Sequence, residues 1–229
     1  EAVAALASEA NSTDVPVVVA AFAAFLARTT GTSDVVLSLP VSARTTAALR
    51  RSGGALSNVV PLRLFVHPAC TPTELIRQVQ LELTGALRHQ RYRYEDMLAD
   101  LRELGREHRE VRSAFGPVVN LMMFHPQISF GDIVGDFHVQ STGPIDDLSV
   151  NVYPGIAGRT VRVDFEANPA LYSEDSLVRH HRRFVDHLAC FVTEPNCAVG
   201  DLPFTDAADP AGPVPTDGSG AAEPALLPE

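Results

Sequence analysis

No lysine occurs among the 229 residues; all 18 basic side chains are arginine. That absence excludes a Walker A lysine, a pyridoxal Schiff base and every Ser–Lys dyad, because each needs an ε-amine. Cysteine is scarce: Cys70, Cys190 and Cys197 are odd in number and lack CxxC spacing. They read as reduced thiols of a cytoplasmic protein, and with no second close pair they give no zinc site, so no metal ligand is expected. The longest unbroken apolar run, Val17 to Ala27, is 11 residues. It is too short to span a bilayer, and no membrane partner is expected. No basic segment precedes an apolar one at the start, so no signal peptide is expected, and a chain opening on Glu1 suggests a piece of something longer. The 28 acids outnumber the bases, for a net charge of −10, and five acids with no base fall in residues 205–229. Nucleic acid is excluded as a partner, since neither part shows a basic face. GxSxG, GxGxxG and HExxH are all absent, which removes three catalytic or phosphate-binding frameworks.

What is present describes a folded chain. Apolar residues make up 45% and charged residues 20%, values of a globular protein of one large or two small domains. An Ala-rich helix is expected over residues 1–10. A second helix, capped by Thr13 or Asp14 with Pro16 in its first turn, runs to Thr30 and stops at Gly31. It is apolar nearly all round and should be buried. Residues 35–41 and 58–66 read as strands, with Pro61 demanding an edge position or a bulge. Thr71, Pro72 and Glu74 open a helix whose stripe is Leu75, Ile76, Val79, Leu83 and Leu87. A further helix over 94–104, a buried strand over 117–124, and a hairpin of 147–153 with 160–166 follow. Ser173 starts a last helix to Val192. From Thr205 the chain holds five Pro, three Gly and no aromatic residue, which reads as a linker or tail. Helices on one face of a mixed sheet, an α+β two-layer α/β sandwich, is the expected architecture.

Several residues invite a chemical reading. His180, His181 and Asp186 contain a base and an orienter, but they lie inside the last helix, whose apolar stripe is Leu177, His181, Phe184, Leu188 and Phe191; a core or interface role for His181 is favoured. Asp175-Ser176-Leu177 reads as a helix N-terminus, not a phosphopantetheine attachment site. The seven Arg between 88 and 112 alternate with six acids, a solvated ion-paired region. One polar island remains. Asn58 and Arg63 sit in an apolar strand and Arg44 follows another. A buried Arg needs a carboxylate, either within this chain or supplied from outside.

These segments carry a family resemblance. Val17–Arg44 (VVVAAFAAFLARTTGTSDVVLSLPVSAR) resembles the middle of condensation domains of nonribosomal peptide synthetases, with the turn TG-x-x-D and the ending P-V-x-x-R. Gly54–Arg63 (GALSNVVPLR) is similar to the family's G-x-F-x-N-T-x-x-x-R motif, with Leu56 and Val59 in place of Phe and Thr. His89–Glu95 (HQRYRYE) resembles H-Q-x-x-P-F-E, with Arg93 and Tyr94 substituted. Gly116–Phe124 (GPVVNLMMF) resembles N-P-L-F-Q-V-x-F, with Gly116 for Asn. Val163–Leu177 and Leu202-Pro203-Phe204 fit the closing hairpin, last helix and exit, and Arg109–Ser113 loosely echoes R-D-x-S-R.

The resemblance implies a fold of two chloramphenicol-acetyltransferase-like lobes around a tunnel, of which this chain, over residues 1–204, is the C-terminal lobe. It implies amide formation between an acyl or peptidyl donor and an aminoacyl acceptor, both carried on the phosphopantetheine of carrier proteins. No cofactor is bound directly. The catalytic HHxxxDG motif belongs to the N-terminal lobe; HHRRFVD at His180 has four intervening residues and no Gly. No catalytic residue is therefore expected here, and the chain alone should be inactive. Carried over, Arg44 ion-pairs the Asp of the HHxxxDG motif, Asn58 lies near the tunnel, and Arg63 is a structural residue of its strand. A crossover segment reaching the other lobe is implied between residue 124 and the hairpin. The C-terminal lobe of an epimerization domain and a non-catalytic carrier-docking lobe are the alternatives.

Overall fold

The computed structural model describes residues 2–104, 115–122, 128–131, 133–135, 143–153 and 161–204. Five strands form one mixed sheet: β1 (Asp34–Val41), β2 (Asn58–Phe65), β3 (Val118–Leu121), β6 (Leu148–Tyr153) and β7 (Arg162–Ala167). Their order is β2-β1-β3-β6-β7. The central strands β1, β3 and β6 are parallel, and the edge strands β2 and β7 are antiparallel to their neighbours. Pro61 sits in an edge strand, where a missing ladder donor is tolerated. A separate two-stranded ribbon pairs β4 (Ile128–Phe130) with β5 (Ile133–Gly135).

The sheet alternates as its sequence does. Leu37, Leu39, Val60, Leu62, Leu64, Val119, Val150 and Val152 are buried on one face, under α2 (Asp14–Thr30), α4 (Pro72–Arg88) and α6 (Glu174–Thr193). The intervening residues, Arg63, Asn120, Asn151 and Asp164 among them, take the opposite face. α2 is the keystone of the helical layer: every residue from Val15 to Leu26 is buried. It ends where Gly31 adopts φ 70°, a left-handed cap that a Cβ would strain. α1 (Ala2–Glu9) packs on α2. Among the described residues no single helix is long and apolar enough to cross a membrane; α1 and α2 together have the composition but bend by 98°.

α4 begins with a complete capping box. Thr71 Oγ1 accepts from the Glu74 amide, and Glu74 accepts from the Thr71 amide at 2.8 Å. The Thr71 amide, and after it the Thr71 hydroxyl, donating to the Glu74 carboxylate hold Glu74 below the usual carboxylate range. Two elements are absent from the sequence reading: the five-residue α3 (Ala47–Arg51) and the β4–β5 ribbon. The strand expected over 117–124 ends at Leu121, with residues 123–127 outside the described residues. The hairpin turn, Arg109–Ser113 and the expected tail 205–229 also lie outside them.

The rotation of α6 corrects one expectation. Of the expected stripe, Phe184 and Phe191 are fully buried and Leu177 and Leu188 pack half-buried against the core, but the buried histidine of the helix is His187, not His181. Phe184 fixes the rotation, because its ring meets Phe22, Phe25 and Phe165 at centroid distances of 5.6, 5.7 and 5.5 Å. His187 is thereby carried inward against Phe25, Phe191 and Phe204. His181 moves to the flank, where its Nε2 lies 3.0 Å from the Val163 carbonyl. The chain leaves through a fastened segment: Val199 N–H donates to Cys70 O, Gly200 N–H to Pro68 O, and the Arg28 guanidinium to Leu202 O. Phe204 receives Arg28 and Arg183 over its ring at 4.5 and 5.0 Å.

Candidate functional site

One end of the sheet gathers the motif residues. The parallel strands β1, β3 and β6 finish there at Val41, Leu121 and Tyr153, and β2 and β7 begin there at Asn58 and Arg162. In open α/β sheets ligands bind at the carboxyl ends of the parallel strands.

Arg44 follows β1 after Ala43, a non-glycine residue held at φ 51°. Positive φ at alanine costs of order 1–2 kcal/mol, and such strain persists only where the surroundings impose it. The turn aims Arg44 across the next loop. Its Nη1 donates to Leu49 O at 2.5 Å and Ser52 O at 2.8 Å, with Ser52 Oγ at 3.3 Å, and its Nη2 donates to Gly54 O at 2.7 Å. Arg44 thus ties down the carbonyl end of α3, whose N-terminus is capped by Thr46 Oγ1 accepting from Leu49 N–H. It is half-buried, and all its acceptors are neutral. No carboxylate lies within ion-pair distance of it among the described residues.

Asn58 joins two of the motifs. Its Nδ2 donates to Gln90 O at 3.1 Å and Tyr92 O at 2.7 Å, and its Oδ1 accepts from Tyr94 N–H at 3.3 Å. The side chain therefore closes the HQRYRYE turn between α4 and α5 (Tyr94–Glu103) onto the start of β2. Tyr92 donates from its hydroxyl to Asp100, and that bond holds the phenol above its usual range. Tyr94 packs edge-on against Phe115, 5.3 Å between centroids. Asn58→Ala should free this turn: loss of about 1–3 kcal/mol, and faster amide exchange confined to residues 89–95. Hydrogen exchange read by mass spectrometry checks it; uniform protection at 89–95 would show that the clamp is idle.

Arg63 is not part of this end and is not buried. It projects from β2 with its side chain 74% exposed and makes a bidentate pair with Asp34 at 2.8 and 2.7 Å. The carboxylate was on the neighbouring strand. The hydrogen bonds to Arg63 lower the Asp34 pKa, but an exposed pair adds little stability. The histidines do not assemble: Asp186 is exposed and bonds none of His180, His181 or His187 among the described residues. Asp175-Ser176-Leu177 is a helix start, with Ser176 buried and its amide donating to Ser173 Oγ. No group of three metal-binding side chains occurs among the described residues, and the three cysteines are free. A cavity of about 290 Å³ lined by Arg28, Ser33, Pro68, Gly200 and Phe204 lies by the exit segment and holds none of the motif residues.

The sequence reading missed a polar row on the sheet. Asn120 and Asn151 are register partners on β3 and β6, and Asp164 is the partner of Asn151 on β7. Asn120 Nδ2 donates to Asn151 Oδ1 at 3.0 Å, and Asp164 is paired with Arg162 at 2.7 Å. The signal was there: VVNLMM and SVNVY each carry one Asn inside an apolar run.

Comparison with known proteins places this geometry. The sequence model of the Condensation domain family matches residues 1–211. The chain is similar to the dimodular nonribosomal peptide synthase of Bacillus subtilis, 37% identical over 81% of the chain and 8% of that protein. It is 36% identical to the isonitrile lipopeptide synthase of Streptomyces coeruleorubidus over 94% of the chain and 14% of that protein. Among solved structures it resembles the first condensation domain of the calcium-dependent antibiotic synthetase in complex with a substrate analogue. There the TM-score is 0.78 at 35% identity, covering 89% of this chain and 44% of that one. The starter condensation domain of rhizomide synthetase, solved with C8-CoA and Leu-SNAC, gives 0.74 at 34%, covering 90% and 44%. The mixed five-stranded sheet with helices matches these folds. The chain spans less than half the length of these solved domains.

Proposed function

The chain belongs to the condensation-domain family, and from that premise we infer that it is the C-terminal half of such a domain, active only with its complement. The observation that carries this reading is a mismatch of lengths. A family model covers residues 1–211, yet the chain reaches over 44% of a solved domain. Its sequence also lacks HHxxxDG. Together the two halves would join a carrier-tethered acyl or peptidyl donor to a carrier-tethered aminoacyl acceptor. The acceptor amine attacks the donor thioester carbonyl, a C–N bond forms, the C–S bond breaks, and one amine proton ends on the departing sulfur, so the carrier leaves as the free thiol. This half handles no proton in that step. It contributes one wall of the tunnel and holds the substrates together, and proximity of two tethered reactants is worth up to about 7–11 kcal/mol.

Arg44 is the contact between halves in this reading. Its Nε–H and one Nη2–H make no hydrogen bond among the described residues, and the charge is met only by carbonyl and hydroxyl dipoles. The Asp of the complementary motif supplies the missing carboxylate. Asn58 holds the α4–α5 turn on the start of β2 at the same end of the sheet, and residues 205–229 are read as a linker or tail.

The test is peptide transfer between two loaded carrier proteins, followed by mass spectrometry of the intact carriers. Product is expected only when the N-terminal half is added. Arg44→Ala should cut that rate at least about tenfold, in line with about 1.4 kcal/mol or more for a desolvated ion pair. Turnover by this chain alone would overturn the reading.

A further inference from the structure

The polar row offers an amide with nothing to bind. Asn151 is 2% exposed, its Oδ1 is occupied by Asn120, and its Nδ2 has no hydrogen-bond partner among the described residues. Buried amide donors are nearly always paired, so an orphan of this kind asks for an acceptor that the described residues do not supply. The carboxylate beside it is spoken for: Asp164 takes two bonds from Arg162, at 2.8 Å from Nε and 2.7 Å from Nη2. The row lies two residues before the end of β6 and one before the end of β3. That is the carboxyl end of the parallel strands, on the face away from the helical layer.

The chemistry of the acceptor follows from its surroundings. An anion would face Asp164 across the β6–β7 pair. A cation would find Asn151 Oδ1 already accepting from Asn120. An uncharged carbonyl oxygen suits both. The gate is Asn120: its side chain is half-buried, and its second contact is the weak acceptor Met122 Sδ at 3.2 Å. A swing of Asn120 about its χ1 opens the way to the Asn151 amide at the cost of the hydrogen bond between the two side chains.

We propose that Asn151, gated by Asn120, is a subsite that donates to the thioester or amide carbonyl oxygen of a carrier-tethered acyl or aminoacyl group. The proposal rests on the condensation reading and deepens it, adding a specificity-determining contact on this half. A ligand carbonyl satisfies the orphan donor, so the apo protein carries an instability that the substrate relieves.

Two measurements on the full chain decide it. In the first, the side-chain NH₂ resonance of Asn151, assigned by its absence in Asn151→Leu, is followed on titration with octanoyl- and leucyl-N-acetylcysteamine thioesters. One of them is expected to shift it saturably. In the second, Asn120→Val/Asn151→Leu is compared with wild type. Its melting midpoint should stay level or rise by about 2–4 °C, since both partners of one hydrogen bond and an unpaired buried Nδ2 are replaced by apolar groups. With the N-terminal half added, KM should rise about three- to tenfold for the same thioester and less than twofold for the other, which identifies the source of the carbonyl. No resonance shift, unchanged KM for both thioesters, or a midpoint lower by more than about 4 °C overturns the subsite, the last because it marks a purely structural amide ladder. Wild-type halves that fail to turn over would instead overturn the condensation reading, while the resonance shift still decides the subsite.

Discussion

Gly116→Ala is expected to destabilise the chain by more than about 3 kcal/mol, at the upper end for an overpacked site. A Cβ on residue 116 would lie 2.1 Å from Val36 O and 3.1 Å from its carbonyl carbon. Neither atom belongs to a flexible side chain, so the backbone itself has to move. It is fastened at this point. Ser38, fully buried, donates from Oγ to Gly116 O at 2.9 Å and accepts from Gly116 N–H at 3.3 Å. The Ser38 amide donates to Pro117 O at 3.0 Å. These bonds open the parallel pairing of β3 on β1, where Ser38 is opposite Val118. Shifting the strand enough to admit a methyl group breaks them, and each buried group left unpaired adds about 1–3 kcal/mol. The resembling motif has Asn where this chain has Gly116; here the close approach to β1 leaves no room for one. Urea titration followed by circular dichroism measures the effect, with the slope unchanged if only the native state is altered. A variant within about 1 kcal/mol of wild type would show that β3 docks more loosely than described.

Acid is expected to loosen the helical layer through His187. Burial, with a smaller contribution from the Arg28 charge, lowers its pKa to about 4. Neither ring nitrogen has a hydrogen-bond partner among the described residues. Phe25, Phe191 and Phe204 surround the ring, and Arg28 and Arg183 both stand over Phe204. A protonated imidazole there would sit near two cations, with no carboxylate paired to it among the described residues. In the unfolded chain the same imidazole titrates near 6.5. The folded pKa is therefore the lower one, so below pH 6.5 the unfolded state binds the extra proton first. The contribution of His187 is whole above that pH and disappears as pH falls from 6.5 to about 4. Between pH 7.5 and 5 about 2 kcal/mol is lost, or about 4–8 °C in melting midpoint for a chain of this length. His187→Leu should remove that part of the acid sensitivity and raise the midpoint at pH 7.5, because two unpaired nitrogens leave the core. Parallel decline of the two midpoints from pH 7.5 to 5 would rule His187 out as the cause.

The helices and most strands were determined by the sequence itself, because their signals act within a few residues. Thr71 and Glu74 close a capping box three positions apart, Gly31 ends α2 by its own φ, and the alternation of 148–153 sets which side chains turn inward. The motif order from Val17 to Phe204 likewise carried the family without coordinates. What only the tertiary structure decided are the partners. Arg63 looked like a buried cation and is an exposed one, because Asp34 reaches it from 29 positions away on the adjacent strand. Asn58 read as part of a polar island with Arg44 and Arg63 and is a clamp, because the α4–α5 turn folds back 32 to 36 positions onto β2. α6 buries His187 more deeply than His181, because the seat of Phe184 among Phe22, Phe25 and Phe165 sets the rotation of the helix about its apolar stripe. Asn120 meets Asn151 only through the register of two parallel strands. Hydrogen bonds and ring contacts are set by distance in space, and helical periodicity and strand alternation hold no record of which distant residue arrives there.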